Sequence, residues 1–150
     1  MKLEQAIKQS RFKTLDLHLA LNFMYTYNCF MNDQKAYFDA YGITQQQYNV
    51  LRILRGHHPD PYSTAQIRER MLDKMSDASR IVDRLVKKQL VNRTVCLADK
   101  RLVDVVISTN GMSLLNKIDK TIDAQLKKSF HRLKVGDKKK LIDLLDQVRR

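Results

Sequence analysis

Five side chains between positions 76 and 87 have the types and spacing to meet a polyanion. Ser79 and Arg80 lie three and four residues after Ser76, and Arg84 and Lys87 follow at further steps of four and three, which gathers all five, together with Asp83, on one side of a helix at 100° per residue. Small hydroxyl residues at the N-terminal end let a helix approach base edges closely, and an arginine such as Arg80 offers a two-pronged donor that suits a guanine edge or a phosphate. The opposite side carries Ala78, Ile81, Val82 and Leu85, within about a third of the circumference, and reads as the core face. A second set lies downstream. Val91, Arg93, Val95 and Leu97 alternate with Asn92, Thr94 and Cys96, and Val103, Val105 and Ile107 alternate on the return. That period of two predicts a β-hairpin, with Ala98-Asp99-Lys100-Arg101 at its tip.

These groups need elements to hold them. Ser63 and Gln66 form a capping-box pattern that opens a helix through Thr64, Ala65, Ile67 and either Met71 or Leu72. A turn at Asp73-Lys74-Met75 follows, and Ser76 reads as the cap of the next helix. Helix, turn, second helix and basic hairpin are the parts of a winged helix-turn-helix module, in which one helix crosses the phosphates, one enters a major groove and the hairpin reaches the adjacent minor groove. The DNA-binding set is then Ser63, Thr64, Ser76, Ser79, Arg80, Arg84, Lys87, Lys100 and Arg101, with Lys88 open between solvent and phosphate contact.

Composition agrees with such a partner. Among 150 residues, 28 Lys and Arg stand against 16 Asp and Glu, a net charge of +12, which favours nucleic acid over a small acidic molecule. The polar start and the lack of an apolar run near 20 residues predict a cytoplasmic protein with no membrane partner. Cys29 and Cys96 form no CxxC pair, so the expectation is no disulfide scaffold and no zinc site. Cys29 reads as a small core residue. His57 and His58 with Asp60 read as a solvated connection, because adjacent histidines point apart; His18 and His131 stand alone. Neither a phosphate loop nor a nucleophile elbow is present in the sequence, so no enzyme, cofactor or metal is expected.

The segments on either side are helical. Leu19, Phe23, Tyr27, Phe30, Tyr37 and Tyr41 recur at helical intervals and predict one helix from about Phe12 to Tyr41, ended at Gly42. Thr44 and Gln47 are a further capping-box pair, with Val50, Leu51, Ile53 and Leu54 behind them. Leu114, Leu115, Ile118, Ile122, Leu126 and Phe130 form a stripe on a helix that starts at Thr109-Asn110-Gly111. Gly136 reads as the break before a last helix, opened by Asp137 and carrying Leu141, Leu144, Leu145 and Val148. These stripes are longer than one small module can cover. The reading is therefore mainly α with a small β-hairpin wing: a winged helix-turn-helix module at about 43–108 and a helical dimerisation region at about 1–42 and 109–150, all in one domain. Leu19, Phe23, Leu126, Phe130, Leu141, Leu144, Leu145 and Val148 are the expected homodimer contacts.

Three stretches carry a resemblance to a known family. Leu85-Val86-Lys87-Lys88-Gln89-Leu90-Val91, the Asp99-Lys100-Arg101 triplet and Ile107-Ser108-Thr109-Asn110-Gly111 are similar, in type and in order, to the MarR (multiple antibiotic resistance regulator) family of bacterial transcription factors. The resemblance implies a triangular homodimer with intertwined first, fifth and sixth helices, two winged modules on a pseudo-palindromic stretch of double-stranded DNA, and repression relieved by a small aromatic or phenolic effector. It implies that Asp99 braces the wing through an ion pair and Arg101 enters the minor groove, and it matches Ser76, Ser79 and Arg80 to groove contacts. Two departures stand out. Gln89 replaces the glycine usual after the two lysines, where a left-handed cap costs a non-glycine residue roughly 1 kcal/mol, and Leu102-Val103-Asp104 replaces a second wing arginine. Met24, Tyr27, Tyr37, Tyr41 and Tyr48, with Tyr25 and Met31 beside them, are the expected effector pocket, since tyrosine offers an apolar face and a hydroxyl. Two readings stay open beside this one: a basic protein that coats DNA without regard to sequence, and a helical protein–protein interaction module.

Overall fold

Thr14, not Phe12, begins the long N-terminal helix in the computed structural model, which describes residues 1–95 and 103–149. Its hydroxyl accepts the Leu17 N–H at 3.1 Å, and helix α2 runs Leu15–Asp39 after a single turn, α1, at Leu3–Ala6. Phe12 stacks on His18 instead, with ring centroids 4.1 Å apart. Gly42, at φ +68°, turns the chain out of α2, a conformation that glycine adopts without a Cβ penalty. Helix α3, Gln45–Arg55, opens with the expected capping box: the Thr44 hydroxyl accepts the Gln47 N–H and the Gln47 side chain accepts the Thr44 N–H.

The same device opens α4, Thr64–Arg70, at Ser63 and Gln66. Helix α5 is Ala78–Lys87, and here the sequence reading needs correction. Asp77, not Ser76, is its cap, accepting the Arg80 N–H at 3.1 Å. Ser76 is spent one step earlier, donating to the Asp73 carboxylate at 2.5 Å.

Strands β1, Tyr62–Ser63, β2, Val91–Val95, and β3, Val103–Ile107, form an antiparallel sheet in the order β1-β3-β2. The hairpin register runs from Val91↔Ile107 to Val95↔Val103. The strand β1, which pairs Tyr62 with Val105 and Ser63 with Asp104, has no counterpart in the sequence reading; two residues are too few to show an alternation. The expected wing tip, with Cys96, Asp99, Lys100, Arg101 and Leu102, lies outside the described residues.

By internal contacts the chain falls into two units, Met1–Leu115 and Asn116–Arg150. In the first, Val50, Leu51 and Leu54 of α3 are buried with Ile67 of α4, Val82 and Leu85 of α5 and Val105 of β3, and α3 contacts α2, α4, α5 and β3. Full burial of each such side chain is worth about 1.5–3 kcal/mol, so α3 is the post against which the helix-turn-helix is set. Met71 is buried and Leu72 is not, which resolves that pair. Helix α6, Thr109–Phe130, continues into the second unit, where α7 spans Val135–Val148. Gly136 and Asp137 lie in the first turn of α7 rather than before it; the break falls at 131–133. No residue of α7 is buried.

Candidate nucleic-acid interface

Helix α5 sorts its side chains as its sequence dictates. Ala78, Val82 and Leu85 are buried and Ile81 half-buried, whereas Ser79, Arg80, Arg84 and Lys87 are exposed together on the other side. Two grooves flank that exposed ridge. One, of about 530 Å³, is lined by Thr64, Ala65 and Arg68 of α4, Lys74 of the turn, and Ser76 to Ser79. The other, of about 240 Å³, lies between Thr44, Gln46 and Gln47 at the head of α3 and Asp77, Arg80, Ile81 and Arg84 of α5. A ridge with Arg and hydroxyl residues between two basic or polar grooves is the relief that a helix in a major groove requires, the ridge facing base edges and the grooves facing backbones.

Acidic residues on this side are compensated. Arg93 of β2 donates to the Asp83 carboxylate at 2.5 Å, which neutralises the one carboxylate in the middle of the ridge and ties the hairpin stem to α5. Asp77 takes Arg80 Nε at 3.1 Å. Asp73 accepts from the Ser76 hydroxyl and from the Met75 N–H at 3.0 Å; the hydroxyl bond, and then the backbone bond, hold its carboxyl below the ordinary aspartate range. The turn between α4 and α5 is thereby fixed by an ionised carboxylate. It is also tied to α3, whose Asn49 side chain accepts the Leu72 N–H at 3.0 Å.

Of the residues expected to touch DNA, Ser79, Arg80, Arg84 and Lys87 share one exposed face, and Thr64 and Ser76 line the adjoining groove. Ser63 stands at the N-terminus of α4 with its hydroxyl committed to the cap. Lys88 points elsewhere: its ammonium donates to the Gly42 carbonyl and meets Gln47 Oε1 at 3.5 Å. Lys100, Arg101 and Asp99 lie outside the described residues. Sequence reasoning missed Asp77, Arg68 and Lys74. Arg68 follows Thr64 by one helical turn, and that spacing alone would have found it.

The apolar residues expected at a dimer contact are exposed in each unit. Leu19 and Phe23 are 63% and 55% exposed on α2. Leu126 and Phe130 on α6, and Leu141, Leu144 and Val148 on α7, are exposed as well, with Leu145 half-buried. The expected pocket set divides. Tyr27 lines a cleft of about 280 Å³ with Phe30, Met31, Asn49, Met71 and Leu72, and Met24 is exposed. Tyr37 and Tyr48 gather instead around Phe38, Tyr37 edge-on with ring centres 5.1 Å apart and Tyr48 at 4.7 Å, while Tyr41 packs on Tyr37 at 5.3 Å. Cys29 is exposed rather than in the core, and its thiol beside Tyr25 raises the pKa of that phenol. His57 stacks on Tyr62 at 3.9 Å, and the Arg70 guanidinium lies 4.4 Å from the Tyr62 ring centre, so this histidine has a packing partner that the solvated-connection reading did not give it. Among the described residues no helix is long and apolar enough to cross a membrane.

Helix-turn-helix, three-stranded sheet and flanking long helices define the class of the molecule: a winged helix-turn-helix protein. The sequence model of the MarR family matches residues 43–103, the stretch that holds the helix-turn-helix and strand β2 of the hairpin stem. HTH-type transcriptional regulator PapX from Escherichia coli is 26% identical over 102 residues, an alignment that spans 68% of this chain and 62% of PapX. The crystal structure of a MarR transcription factor from Planctomyces limnophilus is similar at a TM-score of 0.71 and 28% identity, over 91% of this chain and 99% of that one. A cysteine-to-serine variant of MarR from E. coli, complexed with operator DNA, is similar in fold at a TM-score of 0.78 and 21% identity, over 93% and 99% of the two chains.

Proposed function

We propose that this chain is a cytoplasmic, homodimeric transcriptional regulator that binds a pseudo-palindromic operator and represses from it until a small aromatic or phenolic effector releases it. The observation that carries the reading is the ridge of α5, with Ser79, Arg80, Arg84 and Lys87 exposed together between two grooves. The operator complex of the E. coli relative of like fold supports the same partner for this chain. In this reading Ser79 and Arg80 face base edges and Arg84, Lys87, Ser63 and Thr64 hold the backbones, while Ser76, its hydroxyl proton given to Asp73, lines the groove beside them. Lys100 and Arg101 reach the minor groove, and Asp99 braces them.

Homodimerisation is supported by what water would otherwise meet. Leu19 and Phe23 in one unit, and Leu141, Leu144 and Val148 in the other, are too many exposed large apolar side chains for a monomer. Effector control is supported by the cleft at Tyr27 and Met31, which has room for a one-ring molecule. Such a ligand releases DNA by binding better to a dimer whose recognition helices no longer stand about 34 Å apart, one turn of B-DNA.

Selection of bound genomic fragments followed by footprinting tests the proposal. The expected outcome is a protected inverted repeat. Equal retention of random and genomic fragments overturns it in favour of a DNA-coating protein, and absence of salt-sensitive binding overturns it in favour of a protein-interaction module.

A further inference from the structure

We infer that Asp77 is a positioning residue for base recognition: it holds the Arg80 guanidinium by its Nε edge, so that Arg80 reads a guanine end-on with its two terminal nitrogens and does not serve as a phosphate contact. The inference rests on the DNA-regulator reading above and adds to it the base that this position selects.

Asp77 makes two contacts with one residue. Its Oδ1 accepts the Arg80 N–H at 3.1 Å, and its Oδ2 forms an ion pair with Arg80, 3.1 Å from Nε. The hydrogen bond caps α5 and fixes the carboxylate against the helix; the ion pair then draws the Nε edge of the guanidinium to the carboxylate. A guanidinium has five N–H donors in a planar fork, and with Nε engaged the pair at its far end stays free. The Arg80 side chain is 81% exposed, so that end is presented outward from the first turn of α5, where a recognition helix meets base edges. Guanine offers two acceptors there, N7 and O6, spaced for such a fork.

Charge argues against a phosphate at the same position. Asp77 and Arg80 together are neutral, and a phosphate brought to the guanidinium would also meet the carboxylate. A neutral pair releases few counterions, so this contact contributes little salt dependence. In water the pair is worth little. Its effect is preorganisation, because a side chain already held in its binding geometry loses less rotamer freedom on the DNA. The wider part of the ridge supplies the net charge, through Arg84 and Lys87.

The test uses the full-length protein and the best duplex that it retains from a randomised library, together with the same duplex carrying each G·C pair changed in turn to A·T. Asp77→Asn keeps a cap oxygen but removes the charge; Asp77→Ser keeps a cap oxygen too short to reach Nε. Circular dichroism confirms that both variants fold. The wild type is expected to lose about ten- to hundredfold in affinity at one G·C position in each half-site. Arg80→Ala should abolish that penalty and no other. Both Asp77 variants should shrink it, and should steepen the dependence of affinity on salt by about one unit, because an unpaired Arg80 can then take a phosphate. An unchanged penalty in the Asp77 variants, or an Arg80→Ala loss equal on every duplex, overturns the inference while leaving the regulator reading intact. Failure of the wild type to prefer any duplex overturns both.

Discussion

The Ser108 hydroxyl donates to the Gln89 carbonyl at 2.8 Å and in the same position accepts the Gly111 N–H at 3.0 Å. One side chain thus joins the end of α5 to the start of α6. The helix end is itself a Schellman turn, with the Gln89 N–H bonded to Val86 O at 2.8 Å and the Leu90 N–H to Leu85 O at 3.0 Å. Gln89 sits at φ +57°, so the left-handed cap forms without its glycine.

That strain is removable. Gln89→Gly should raise stability by up to about 1 kcal/mol, the steric relief at a left-handed position less the added freedom of the unfolded chain. Urea unfolding measures it; a loss of stability would mean that the glutamine side chain contributes more than the strain costs.

Gly111 is required by close approach. A Cβ there would stand 2.2 Å from the Leu90 carbonyl oxygen and 2.8 Å from Ile107 Cγ1. Gly111→Ala should therefore destabilise by about 1–3 kcal/mol or more, through displaced backbone rather than a lost contact. A thermal melt within a degree of wild type would contradict it.

Two adjacent lysines should behave differently. Lys87→Ala should lower affinity for all duplexes and flatten the salt slope by about one unit. Lys88→Ala should leave the slope unchanged and cost about 1 kcal/mol of stability, because its ammonium is engaged at the Gly42 carbonyl and near Gln47. Binding titrations at several salt concentrations, beside urea melts, separate the two.

The α4–α5 turn should weaken in acid. The Asp73 carboxyl is held below its ordinary range by Ser76 and the Met75 N–H, so the stability it contributes is fully present above the ordinary aspartate pKa of about 4 and is lost as pH falls through the depressed value. Asp73→Asn should lose that part of the pH dependence. Stability curves from neutral to acid pH that superimpose for the two proteins would refute the assignment.

Charge on α7 should break a dimer. Leu144→Glu, with Leu145→Glu as the notably less exposed partner change, should raise the dimer dissociation constant by about a hundredfold or more, since an unpaired carboxylate would be buried at an apolar contact. Sedimentation at micromolar concentration reads this directly, and a wild type that is already monomeric there ends the dimer proposal.

Local signals carried far in this sequence, and non-local ones did not. The Thr44–Gln47 and Ser63–Gln66 capping boxes were legible because each needs only four consecutive residues, and the buried face of α5 because 3.6-residue periodicity declares it. Ser76 and Asp77 are both competent caps, so neighbouring sequence could not choose between them; the choice is made by Asp73, which captures the Ser76 hydroxyl. Strand β1 was invisible because its partner among the described strands, β3, is more than 40 residues away. Cys29 was read from residue type and the tyrosine pocket from type and resemblance, and neither says which face of the 25-residue α2 meets the core. Asp77 escaped notice as a site residue because an acidic side chain on a basic ridge looks like an exception until its hydrogen bond and its ion pair to Arg80 are seen.

The position of β3 at the centre of the sheet bears on how the protein is made. Strand β1 comes before the helix-turn-helix and β2 after it, yet among the described strands each pairs only with β3. A nascent chain that has left the ribosome through β2 holds both helices but has no strand to close either end, and the pairing of Tyr62 with Val105 must still pay for shutting a loop of that length. Synthesis therefore delivers the clasp after everything it fastens. Until β3 pairs with both, neither end of the helix-turn-helix is tied into the sheet.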